Sequence, residues 1–168
     1  ASRGNLTGVN GVGFGINYNP APNAGVDVFS WTTCGTISFE TAAWPNPGSG
    51  TIVSFNPSTC AGRQTVVAGY LYIGAYTPDV LRIIARPTNG VPEVVDCSNH
   101  FNTVASSNLG YVSFSTAGDV AGFNPCSGSA APDNGPPPDT TPTDYLVVHL
   151  AAPTTVNACS SGHIAACS

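Results

Sequence analysis

The sequence contains no lysine and no methionine, and Asp, Glu and Arg together make up only 8% of its 168 positions, against roughly a quarter in an ordinary soluble domain. Lysine-dependent chemistry is thereby excluded: no Schiff-base nucleophile, no Walker-type phosphate loop and no Ser-x-x-Lys acylase can be built. A Gly-x-Ser-x-Gly nucleophile elbow is absent too. Four Arg against nine Asp and Glu give a formal charge of −5, which repels phosphate backbones and anionic lipid, so nucleic acid is not an expected partner. No apolar run approaches the roughly 18 residues of a spanning helix, which argues against membrane insertion, and no basic segment precedes an apolar stretch as in a signal peptide. A chain that begins at Ala1 without methionine reads as a processed, mature form. Also lacking is any stretch of about twelve residues with a 3.6-residue apolar period free of Gly and Pro, which excludes long helices. No internal repeat of a solenoid or propeller is visible.

What is there instead is glycine, proline and small polar residues, with 19 Gly and 15 Pro. Short β-branched and aromatic runs recur between them, and they predict strands over 25–31, 35–41, 50–56, 64–76, 79–86, 91–97, 110–115 and 144–151. Asn89-Gly90 lies between two of these runs and predicts a hairpin pairing 79–86 with 91–97. The fold class that follows is all-β: an antiparallel β-sandwich, immunoglobulin-like or jelly-roll-like, with disulfides and a long Pro-rich loop over 124–143. That loop carries Thr140, Thr141 and Thr143 as O-glycosylation candidates, and Asn5-Leu-Thr7 is an N-glycosylation sequon.

Residues 11–18 carry the sharpest pattern. Val12, Phe14, Ile16 and Tyr18 alternate with Gly11, Gly13, Gly15 and Asn17, so a strand there has one large apolar face and one nearly bare face. The three glycines are no dinucleotide loop, since no strand precedes them and no helical pattern follows. The chain accordingly divides into an N-terminal strand segment, 1–18, and a sandwich domain, 19–168. The apolar face of the segment fills either the core of its own domain or that of a neighbour.

Six cysteines, an even number in a lysine-free chain, imply an oxidising, extracellular setting and up to three disulfides. Proximity favours Cys159–Cys167, after which order along the chain makes Cys34–Cys60 and Cys97–Cys126 the plainest pairs. Paired CxxC knuckles are missing, so metal binding by Cys97 and His100, or by Cys159, His163 and Cys167, is the weaker reading, and neither metal nor cofactor is expected. Glu40 and Glu93 are the two glutamates, and with Asp27, Asp79 or Asp96 they offer the carboxylates of a small hydrolase. No Ser/His/Asp set or calcium loop supports catalysis further, so the chain reads as a non-enzyme. Trp31, Trp44, Tyr70, Tyr72 and Tyr76 are candidates for stacking on sugar rings, with Tyr70 and Tyr72 on one strand face.

The alternating N-terminal segment, followed by Cys34 and Cys60 in a β-rich domain, resembles subunits of strand-complemented extracellular fibres such as chaperone–usher pilins. The resemblance implies a secreted filament subunit whose Val12, Phe14, Ile16 and Tyr18 are donated to the next copy of the chain. A carbohydrate-binding or lectin-like module is the alternative.

Overall fold

The computed structural model describes residues 8–61 and 66–114. Outside them lie the run 144–151, the Pro-rich stretch 124–143, Cys126, Cys159 and Cys167, and the glycosylation candidates Asn5, Thr140, Thr141 and Thr143. Nine strands are formed by the described residues: β1 (Val9–Asn17), β2 (Val26–Thr33), β3 (Ile37–Glu40), β4 (Ser49–Ser54), β5 (Gly69–Ala75), β6 (Asp79–Ile84), β7 (Glu93–Asp96), β8 (Phe101–Thr103) and β9 (Tyr111–Phe114). All pairings among the described residues are antiparallel, and the helical content of those residues is two single 3-10 turns, at Pro57–Thr59 and Ser106–Asn108. Seven strands form one sheet, ordered β3-β4-β1-β6-β9 with β7 also beside β1 and β8 beside β7. The two-stranded sheet β2–β5 lies across its inner face, making a lopsided sandwich.

β1 stands at the centre of the large sheet. One edge pairs with β4 from Gly11 to Ile16, and the other is shared, with β7 alongside Val9–Gly13 and β6 alongside Gly15–Asn17. Val12, Phe14, Ile16 and Tyr18 are buried among Val26, Val53, Leu71, Leu81, Ile83 and Val94 of the same chain. The period-two pattern thus translates into burial, and the owner of the apolar face is the chain's own core. The expected donor strand has both hydrogen-bonding edges occupied at home, so it is not a free end awaiting a neighbour.

The glycines opposite have separate reasons. At Gly15 a Cβ would stand 2.6 Å from the Ser49 carbonyl oxygen and 3.0 Å from that of Ala85, so the close approach of two backbones requires glycine there. At Gly13 the nearest atom to a Cβ is 3.6 Å away, on the Ile52 side chain, which is ordinary contact.

Two expectations are corrected. The runs 79–86 and 91–97 do not form a hairpin. β6 and β7 instead continue one line along β1, and residues 85–92 leave that line as an excursion closed by a single bridge, Arg86 to Val91. Pro87 and Pro92 have no N–H for a ladder, and Gly90 turns the excursion at φ 73°, its N–H donating to the Arg86 carbonyl at 2.8 Å. The second correction concerns the cysteines. Cys60 is bonded to Cys97, not to Cys34, and Cys97 is therefore not bonded to Cys126. β4 and β7 flank β1, so the turn after β4 and the end of β7 meet at Gly8, just before β1 begins. A Cβ on Gly8 would collide with the Cys60 carbonyl and sit 2.7 Å from the Cys97 sulfur, and its φ of 151° also favours glycine. Cys34 is disulfide-bonded as well.

Candidate ligand-binding face

β2 carries a one-residue bulge: Val28 faces Ile73 and Ser30 faces Tyr72, leaving Phe29 as the extra residue. Without it, strict alternation would put Trp31 on the same face as Asp27. The bulge turns Trp31 inward opposite Leu71, while Phe29 keeps the outward side that it shares with Asp27. Trp31 then meets Phe14 and Trp44 edge-to-face at centroid separations of 6.2 and 5.4 Å, and Phe14 meets Trp44 at 5.8 Å. Both indoles pack against the core and bury their N–H groups. Trp31 and Trp44, expected as glycan-stacking residues, are structural.

The outer face of β2–β5 is aromatic. Tyr70 and Tyr72 project from it at 40% and 66% exposure, with Phe29 at 52% and Tyr76 at 48%. Phe29 packs tilted against Tyr72 with ring centroids 5.5 Å apart. Its ring edge and the Tyr76 hydroxyl both come within 3.5 Å of where a Cβ of Gly74 would stand, so the absence of a side chain at Gly74 lets the rings converge. Seven large apolar side chains are exposed among the described residues, and these four share one face. The register places the other three, Ile37, Phe39 and Phe101, on the outer face of the large sheet. Sequence reading found Tyr70, Tyr72 and Tyr76 but missed Phe29, which stands one step out of phase with Val26 and Val28.

A groove of about 520 Å³ adjoins this face at Phe29, lined also by Tyr18, Asn19, Asp27, Asn46 and Pro47. Asp27 follows the fully buried Val26 and so faces outward. One of its oxygens accepts the Asn23 N–H at 3.2 Å. The Tyr18 hydroxyl donates to the Pro45 carbonyl at 3.1 Å. Burial pushes that phenol above its ordinary value, the Val28 backbone opposes the rise, and the Asp27 charge adds to it.

The remaining acids do not assemble. Glu40 shares the inner face with Thr51 and Phe14, while Glu93 pairs with Gly13 on the outer face. Three strand steps separate them, about 14 Å, beyond the roughly 5–9.5 Å of a glycosidase pair. Glu40 accepts from the Ser38 hydroxyl and Glu93 from the Asn89 amide. Asp79 caps the backbone N–H groups of Asn19, Val26 and Val80. Asp96 accepts from the N–H groups of Ser98 and His100 and lies 3.3 Å from the His100 imidazole. The Cys97 sulfur, considered as a ligand beside His100, is committed to Cys60.

The class defined by these features is a disulfide-bonded antiparallel β-sandwich module with an aromatic outer face. No known protein family matches the sequence, and no curated protein does. Among solved structures the chain is similar to the cohesin module of a family 33 glycoside hydrolase from Clostridium perfringens, at 11% identity and a TM-score of 0.37, over 68% of this chain and 77% of that one. No helix of the described residues is long and apolar enough to cross a membrane.

Proposed function

We propose that the chain is an extracellular binding module that holds a polysaccharide on the aromatic face of β2–β5. The observation that carries this reading is the convergence of Phe29 and Tyr76 over Gly74, with Tyr72 packed against Phe29 and Tyr70 exposed on the same face. Exposed aromatic rings gathered on a rigid sheet present flat apolar faces with hydroxyl edges, which match the C–H faces and hydroxyls of a sugar ring. The low charge of the chain suits a neutral or weakly charged ligand, and disulfides are consistent with an oxidising, extracellular compartment. Affinity electrophoresis through soluble polysaccharides tests it. Tyr72→Ala and Phe29→Ala should each weaken retardation about tenfold, the equivalent of about 1.4 kcal/mol, while circular dichroism stays unchanged. Unaltered binding in both variants, or no retardation of the wild type by any polysaccharide tried, refutes the reading.

A second reading is self-assembly, as the resemblance to pilins implies, and one observation favours it. Among the described residues β2 and β5 each pair on one side only, so the small sheet offers two edges at which a strand of another copy can add. Size-exclusion chromatography over a range of concentrations, with negative-stain microscopy, tests this; a monomer throughout removes it.

A further inference from the structure

We propose that the groove beside Phe29 binds a primary ammonium group, carried by an amino sugar of the polysaccharide; this rests on the glycan reading above and names its ligand class. The groove joins a carboxylate to walls of proline, aromatic and asparagine side chains. Asp27 is positioned by β2, and one of its oxygens takes the Asn23 N–H, while its other oxygen has no hydrogen-bond donor among the described residues. The single ion pair among those residues is Asp96 with His100, which does not line the groove. Arg82, for its part, stacks over the Tyr111 ring at 4.9 Å.

The walls supply no positive charge to pair with that carboxylate. Pro20, Pro22 and Pro47 have no N–H, the Phe29 ring has no polar atom, and the Tyr18 hydroxyl donates to the Pro45 carbonyl, which leaves the neutral side-chain amides of Asn19 and Asn46 as donors. A ligand must therefore bring the counter-charge. An ammonium brings three donors and a full positive charge, which the carboxylate accepts in a charge-assisted bond and which aromatic faces also attract. A sugar hydroxyl brings one donor without charge, and an acetylated amine brings one donor with added bulk. Because Phe29 belongs both to the groove and to the aromatic face, a chain stacked on Tyr72 can place an adjoining residue against Asp27.

The test is calorimetric titration of the full chain with β-1,4 oligomers of glucosamine and of N-acetylglucosamine of equal length. The glucosamine oligomer should bind about tenfold more tightly at low salt. Asp27→Asn keeps an acceptor for the Asn23 N–H but removes the charge, and it should erase that preference, as should raising salt to about 0.5 M, where screening is strong. Tyr72→Ala should weaken both oligomers alike. Equal affinities in the wild type, or a preference that survives Asp27→Asn, would overturn the ammonium site while leaving the aromatic face standing. No binding of either oligomer together with no binding of any polysaccharide overturns both. A lysine peptide that binds through Asp27 more tightly than the glucosamine oligomer overturns the assignment to a sugar.

Discussion

Truncating Phe14 separates a strand buried at home from one meant for a neighbour. The side chain is 1% exposed at the centre of β1 and meets both tryptophans edge-to-face. Removing a buried phenylalanine costs about 3–5 kcal/mol, from lost transfer energy and the cavity left behind. Each aromatic pair adds about 0.5–1.5 kcal/mol beyond area burial, so Phe14→Ala belongs at the upper end, about 4–5 kcal/mol. That is a large share of the roughly 5–15 kcal/mol of a typical domain. With a urea slope of about 2 kcal/mol/M, the midpoint of unfolding should fall by about 2 M. The assay is tryptophan fluorescence against urea under dilute, monomeric conditions, where Trp31 and Trp44 report directly on the cluster. A loss below about 1 kcal/mol in the monomer, paired with a loss of self-association, would refute the reasoning, since it would mean that Phe14 fills another molecule's core.

Three further outcomes are expected. Replacing Cys60 and Cys97 together by serine opens a loop spanning a sequence separation of 37 and should lower stability by about 3–4 kcal/mol, read as a drop in thermal midpoint; a drop equal to that of a surface mutation would count against the bond. Gly15→Ala should destabilise by about 1–3 kcal/mol because backbone atoms occupy the Cβ position, whereas Gly13→Ala should be near neutral, and equal effects in denaturant unfolding would contradict the register. Burial pushes the Asp96 carboxyl up, but the N–H groups of His100 and Ser98 and the His100 imidazole outweigh it and hold the group below its ordinary 3.8. Its contribution to stability is therefore fully present above about pH 4 and is lost as pH falls through the lowered folded-state value; Asp96→Asn should flatten that acid limb in urea titrations at stepped pH.

The strands with clean alternation were legible in the sequence because a period of two has one physical meaning. β1 is the clearest case, and the runs predicted at 50–56 and 79–86 appear as β4 and β6 within two residues at each end. Long-range partnership was not legible. Asn89-Gly90 signalled a turn correctly, yet Pro87 and Pro92 denied the ladder on either side, and the partner of both flanking strands turned out to be β1. The cysteine order misled for the same reason, since Cys60 and Cys97 become neighbours through the sheet order and not through sequence proximity. Trp31 was misread because one bulge inverts the inside and outside of β2 after Phe29, and composition carries no mark of a bulge; Trp44, between β3 and β4, is held inward by its contacts with Phe14 and Trp31.

The position of β1 in the sheet also governs how the chain can be made. Ribosomes deliver Val9–Asn17 first, but its partners come at Ser49–Ser54, Asp79–Ile84 and Glu93–Asp96, and Val9 pairs with Asp96 itself. The chain must therefore be synthesised past β7 before its first strand can be satisfied on both edges. During that interval Val12, Phe14 and Ile16 form a sticky face without a home, next to the chains emerging from neighbouring ribosomes. The strand most deeply seated in the finished molecule is thus the one most in need of shielding during biosynthesis, and secretion before folding would move that hazard across the membrane instead of removing it.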